Sequence, residues 1–217
     1  MFNISKLHFI TQGNIPGYTH AQLAEEACKG GVSWVQLRVK GENQATWKQI
    51  ALETLHVCRK YGAKLIINDN PQLVKEIGAD GVHLGKKDMD PIEARRILGK
   101  DYIIGGTAND FEDLLRLQEA KVDYIGLGPF RFTTTKDKLS PVLGKEGFLN
   151  IMDLCRENKI QTPVIAIGGI LPTDISDILH TGIYGIAVAS AINLAEDNAA
   201  KAAEYLQIIE NHKKALI

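Results

Sequence analysis

Three shortages narrow what this 217-residue chain can be. Cysteine is the first: only Cys28, Cys58 and Cys155 occur, scattered through helix-like segments without metal-ligand spacing. That excludes a disulfide scaffold and predicts buried or spare thiols in a reducing, cytoplasmic setting. Long apolar runs are the second. None approaches the length needed to cross a bilayer, and the opening MFNISKLHFITQG has no apolar signal-peptide core. The third is charge imbalance. With 25 Lys plus Arg against 26 Asp plus Glu, no basic field exists to draw in nucleic acid. Neither a membrane nor a nucleic acid is therefore an expected partner.

What is present reads as one globular domain over residues 1–217, 45% hydrophobic and long enough for a sizeable core. Short apolar runs rich in Ile and Val alternate with segments of helical spacing. The runs predict strands at 7–11, 33–37, 64–67, 81–84, 102–104, 122–125, 164–167 and 183–188. Helices are predicted at 20–30, 44–61, 71–77, 91–98, 110–120, 146–157 and 173–179, with one further C-terminal helix. Gly30-Gly31, Gly62, Gly78 and Gly99 supply the stops, and Pro91 sits in a first turn. Strands apolar on both faces are those of a parallel sheet covered by helices. Eight strand–helix units without a linker predict a single-domain TIM (β/α)8 barrel. A doubly wound open sheet is the alternative, but it usually needs fewer units, and no Gly-x-Gly-x-x-Gly turn follows the first strand.

In a barrel the chemistry lies just past the strand ends. After the sixth strand runs Gly126-Leu-Gly-Pro-Phe-Arg-Phe-Thr-Thr-Thr-Lys136, where two glycines, three hydroxyls and an ammonium suit a phosphate. After the second come Gln36, Arg38 and Lys40, spaced by two and so on one face. After the third and fourth come Asn68-Asp69-Asn70 and Gly85-Lys-Lys-Asp88. Singly, Asp69 reads as a helix cap, a place where Asn70 and Pro71 also fit, and Asp88 as a turn residue. Together they could hold one hard cation such as Mg²⁺, shared with substrate phosphate oxygens. His83 reads as a packed residue, since no second His or Cys accompanies it. Thr107 follows the fifth strand, with Asn109 or Asp110 placed to cap the next helix. Gly168-Gly169 follows the seventh and Ala189-Ser190 the eighth, where backbone amides can reach a phosphate. These residues predict an enzyme for small molecules with two anionic parts.

In this order and at these intervals, Gln36-Leu-Arg-Val-Lys40, Ile67-Asn-Asp69, Gly81-Val-His-Leu-Gly85 with Asp88, Gly126-Leu-Gly-Pro129, Thr133-Thr-Thr-Lys136 and Ala166-Ile-Gly-Gly-Ile170 resemble the thiamine phosphate synthase family along nearly the whole chain. The resemblance implies a transferase of thiamine biosynthesis. It would join hydroxymethylpyrimidine diphosphate to thiazole phosphate, or its carboxylated form, and release pyrophosphate. It also implies that Gln36, Arg38, Lys40, Asn68, Thr107 and Lys136 meet the pyrimidine diphosphate, with Arg38, Lys40, Lys136 and Thr107 catalytic. Asp69 and Asp88 would hold one Mg²⁺. Thr133, Thr134, Thr135, Gly169, Ala189 and Ser190 would cradle the thiazole phosphate. The implied route is dissociative, and barrel habits point to a homo-oligomer.

Four positions depart from the family pattern. Thr107 replaces a serine, Lys86 a glutamine, and Arg131-Phe132 an aromatic–proline pair, while Asn109 stands where relatives often carry histidine. Lys86 is expected to add charge beside the metal loop. The Asn109 change bears on the related thiazole tautomerase, which relies on that histidine, because an amide cannot exchange protons near neutral pH. A non-catalytic barrel that binds thiazole or thiamine phosphate is the other alternative.

Overall fold

The computed structural model describes residues 2–132 and 141–214. Its strands are β1 (Leu7–Ile10), β2 (Trp34–Leu37), β3 (Lys64–Asn68), β4 (Gly81–Leu84), β5 (Ile103–Ala108), β6 (Tyr124–Leu127), β7 (Val164–Ile167) and β8 (Gly185–Val188). Its α-helices are α1 (His20–Lys29), α2 (Gln44–Lys60), α3 (Pro71–Ile77), α4 (Pro91–Leu98), α5 (Phe111–Glu119), α6 (Gly144–Glu157), α7 (Ile175–His180), α8 (Ser190–Asn193) and α9 (Asn198–Lys214). Each strand pairs in parallel with the next, and β8 pairs with β1, closing the barrel. No helix among the described residues is long and apolar enough to cross a membrane.

Local chemistry starts the first five helices. Thr19, Asn43, Asn70, Asp90 and Asp110 each accept an otherwise orphaned amide of the first turn through a side-chain oxygen. Asn70, rather than Asp69, is thus the cap of α3, which leaves the Asp69 carboxylate for other work. The three cysteines are free and buried, and burial pushes the Cys28 and Cys155 thiols up to about 11.

Two cores result. One lies between the barrel and its helices; the other fills the barrel, where Ile4, Ile10, Trp34, Ile66, Ile103, Tyr124, Ile165 and Ala187 meet. His8 stacks on Trp34 with ring centroids 4.4 Å apart, and both meet Tyr124 edge-on. Strand alternation then fixes what stands above this floor. Trp34 faces inward, so Gln36 does too; Ile66 carries Asn68 with it, and Ile103 carries Thr107.

Four predicted elements are corrected. The fifth strand does not stop at Ile104 but runs to Ala108. Glycines are poor strand formers, yet here they make room: a Cβ on Gly105 would lie 2.1 Å from the Tyr124 ring, and one on Gly106 2.4 Å from Leu117. The sixth strand is displaced, from 122–125 to Tyr124–Leu127, so Gly126 belongs to the sheet and not to the loop. The last two predicted helices are each broken. Residues 172–174 form a 3-10 turn before α7, and the C-terminal segment splits into α8 and α9.

Candidate active site

The rim formed by the C-terminal ends of the strands gathers most of the residues singled out above. On β2 and β3, Gln36 is buried and donates through Nε2 to Asn68 Oδ1 at 2.6 Å. Asn68 in turn donates to Asp69 Oδ1, and Lys40 Nζ is ion-paired with Asp69 Oδ2. Arg38, half-buried between them in sequence, is fixed through its backbone amide, which donates to the Thr11 hydroxyl at 3.2 Å. A row of polar side chains therefore runs from the barrel interior to solvent. Asp69 closes it with φ of 67°, a left-handed conformation uncommon outside glycine, asparagine and aspartate. Its amide donates to the His83 carbonyl at 2.9 Å, which ties the turn to β4.

Asp88 comes from the loop after β4. Its Oδ2 accepts the Gly85 amide at 2.7 Å, and its carboxyl lies against that of Asp69. Burial and then the neighbouring Asp69 push Asp88 above the usual carboxylate range. Burial pulls Asp69 the same way, but hydrogen bonds from Asp88, Lys40 and Asn68 overcome it and hold Asp69 below that range. Two acids in contact repel once both ionise, and a cation is what would remove that cost. Hard oxygen donors from two carboxylates suit Mg²⁺, which keeps waters and substrate oxygens for its remaining positions. Among the described residues no group of three or more His, Cys, Asp or Glu converges, so the carboxylate pair is the donor set on offer. A cavity of about 500 Å³ opens beside it, lined by Lys40, Trp47, Asp69, Gln72 and Met89.

Thr107 and Asp88 line a second, smaller cavity of about 90 Å³, together with Gly85 and Lys86. The Thr107 hydroxyl is 3.0 Å from His83 Nε2, and His83 Nδ1 is 3.0 Å from the Tyr124 hydroxyl. His83 is packed near its strand end, as the sequence indicated. It also joins a buried phenol to a residue at the rim, a link no short-range pattern signalled.

The departures find partners. Lys86 does not add free charge beside the metal loop, because its Nζ lies 2.6 Å from Asp113 Oδ2 on α5. Asn109 donates through Nδ2 to the Gly128 carbonyl at 2.6 Å, and Asp110 is the cap of α5. Gly169, Ala189 and Ser190 are half-buried at the ends of β7 and β8, with Gly169 at φ 64°. Thr133, Thr134, Thr135 and Lys136 lie outside the described residues.

A closed parallel barrel with convergent carboxylates, amides and cations at its C-terminal rim defines the class: a TIM-barrel enzyme. Comparison with known proteins narrows it. Residues 7–192 match the family described as thiamine monophosphate synthase. The thiamine-phosphate synthase of Phocaeicola vulgatus is 49% identical over 196 residues, covering 90% of this chain and 94% of that one. That of Flavobacterium johnsoniae is 47% identical, covering 91% and 92%. Among solved structures, a thiamine phosphate pyrophosphorylase from Pyrococcus furiosus superimposes with a TM-score of 0.84 at 30% identity, over 95% of this chain and 96% of that one. The chain belongs to the thiamine monophosphate synthase family, and it is a transferase.

Proposed function

We propose that this enzyme condenses hydroxymethylpyrimidine diphosphate with thiazole phosphate to give thiamine phosphate and pyrophosphate, or with its carboxylated form, in which case the carboxyl group is also lost as carbon dioxide. The observation that carries the reading is the continuous row Gln36–Asn68–Asp69–Lys40 with Asp88 against its end. It supplies a neutral amide pair for a heterocycle, and beyond it a carboxylate pair and a cation for a diphosphate. Asp69 and Asp88 would hold Mg²⁺, whose contribution when bound is to neutralise charge on the diphosphate oxygens.

The chain's own residues do the rest. Gln36 and Asn68 orient the pyrimidine from the barrel interior, and Thr107 meets it from β5. Arg38, Lys40 and Lys136 stabilise the departing diphosphate, which takes the electron pair of the methylene–oxygen bond as that bond breaks. Lys40, exposed as well as paired, can turn from Asp69 to the diphosphate. The thiazole nitrogen then gives its lone pair to the pyrimidine methylene cation, forming the new carbon–nitrogen bond. Thr133, Thr134, Thr135, Gly169 and the Ala189 and Ser190 amides hold the thiazole phosphate so that the nucleophile is close when the cation forms. No general base is needed, because the attacking nitrogen carries no proton.

The test is pyrophosphate release from the pyrimidine diphosphate, with and without thiazole phosphate, in Mg²⁺ or EDTA, with products weighed by mass spectrometry. Release that needs both partners and forms thiamine phosphate is expected. A folded protein that binds thiazole phosphate without turnover would point instead to a tautomerase or a non-catalytic barrel.

A further inference from the structure

Arg131 occupies a position that the proposed chemistry leaves without a role. Its guanidinium forks onto Asp174, Nη1 to Oδ2 at 2.8 Å and Nη2 to Oδ1 at 2.9 Å. Nη1 also donates to the Gly169 carbonyl at 3.1 Å, and the Arg131 backbone amide donates to the Gly168 carbonyl at 3.0 Å. One residue thus holds two successive carbonyls of the turn after β7. A trans peptide unit is planar, so its N–H points opposite to its C=O. Turning the Gly168 and Gly169 carbonyls toward Arg131 therefore sends the Gly169 and Ile170 amides the other way. Successive amides aimed together form an anion-binding concavity.

The surroundings keep this turn in place. Gly168 and Gly169 have φ of 109° and 64°, which favour glycine, and a Cβ on Gly169 would lie 2.5 Å from Arg131 Cγ. The Tyr205 hydroxyl donates to the Ile170 carbonyl at 2.8 Å, and the Leu171 amide donates to Asp174 Oδ2 at 2.7 Å. Asp174 therefore serves both ends: it closes the turn and it locks the guanidinium. Because Asp174 neutralises Arg131, the arginine acts through orientation rather than as a free charge.

We propose that Arg131, locked by Asp174, is a positioning residue that aims the Gly169 and Ile170 amides at the phosphate of the thiazole substrate. The inference rests on the synthase reading for that substrate. It concerns Arg131, a residue to which the proposed chemistry assigns no role.

The test uses the full chain and three variants, Arg131→Met, Arg131→Lys and Asp174→Asn. Calorimetry gives affinity for thiazole phosphate, and steady-state kinetics give kcat and KM for each substrate. Arg131→Met and Asp174→Asn are expected to weaken thiazole phosphate binding about tenfold, the scale of one lost charge-assisted hydrogen bond. The KM for thiazole phosphate should rise in step, while kcat and the KM for pyrimidine diphosphate stay within about twofold. Arg131→Lys should recover part of the loss and carries the test if Arg131→Met does not fold. Unchanged affinity, an equal rise in both KM values, or tighter binding in Asp174→Asn would overturn the inference; the last would mean that Arg131 acts by charge. Wild-type turnover keeps the two readings apart. Turnover with unaffected variants sinks only the role of Arg131, whereas binding lost in the variants of an inactive wild type sinks only the synthase reading. A wild type that does not bind thiazole phosphate sinks both.

Discussion

His83 stands between two hydroxyls, with Nε2 3.0 Å from that of Thr107 and Nδ1 3.0 Å from that of Tyr124. Burial pushes the Tyr124 phenol up, so it stays protonated and able to donate across the working pH range. With Tyr124 as the donor to Nδ1, a neutral His83 would carry its proton on Nε2, donate to Thr107 and free the threonine proton for a ligand at the rim.

This linkage predicts that Thr107→Val, which keeps the volume and removes the hydroxyl, lowers kcat/KM for pyrimidine diphosphate about tenfold. Tyr124→Phe should cost about 1 kcal/mol of stability. It should also lower the same kinetic parameter, by less. In the Thr107→Val background the kinetic effect of Tyr124→Phe should vanish, and a double-mutant cycle measures this. Additive losses would show that the ring does not connect the two hydroxyls.

The contact of Asp69 with Asp88 makes opposite demands on pH. Asp88, raised in the folded state, favours folding at low pH and opposes it as pH rises through its folded value. Asp69, lowered, favours folding above the ordinary carboxylate range and loses that contribution as pH falls through its folded value. At pH 7 in EDTA, Asp88→Asn should therefore raise the melting temperature, by roughly 2–4 °C for each kcal/mol of repulsion removed. Adding Mg²⁺ should raise the wild-type melting temperature and leave that of the variant unmoved. A lower melting temperature for the variant in EDTA would remove the repulsion argument.

His8 gives the barrel an acid limit. Burial, then the nearby His83, lower its pKa to about 3, offset in part by its hydrogen bond to the Ser5 carbonyl. Below about 6.5 the unfolded chain takes up a proton that the folded chain refuses. Stability should then fall by about 1.4 kcal/mol per pH unit toward pH 3 from this one residue. His8→Phe keeps the stack on Trp34 and should flatten that limb in urea titrations at pH 4 to 7. A slope identical to the wild type would place the acid sensitivity elsewhere.

Lys86 should matter to packing rather than to substrate. It meets Asp113, whose Oδ2 also accepts the Asn109 amide at 2.9 Å. Because Lys86 is exposed, Lys86→Gln should cost under about 1 kcal/mol. It should also leave the KM for pyrimidine diphosphate unchanged. Asp113→Ala, which strands the part-buried Asn109 amide, should cost about 1 kcal/mol. A raised KM in Lys86→Gln would return Lys86 to the diphosphate.

Much of this was readable before any fold was known. The strands announce themselves as Ile- and Val-rich runs bounded by glycine and proline, and the caps at Asn70 and Asp110 are decided within three residues of chain. The spacing of Gln36, Arg38 and Lys40 predicts a shared face, but β2 ends at Leu37, so of the three only Gln36 is held by strand geometry. Against this, Gly105 and Gly106 look like loop residues until Tyr124 and Leu117 need their space. Asn193 and Asn198 fall within one predicted C-terminal helix, but α8 ends at the first and α9 begins at the second, their amides turned to the Ile10 and Ile192 carbonyls.

What the sequence by itself determined is the eightfold strand–helix alternation, the local starts and stops, and the family to which the motifs belong. The tertiary structure alone decided which distant groups meet: Lys86 with Asp113, Arg131 with Asp174, His83 with Thr107 and Tyr124. The reason is physical. Periodicity and capping are settled between neighbours in the chain, whereas a bond between side chains tens of residues apart exists only once barrel closure has placed β4 beside β5 and β6 beside β7.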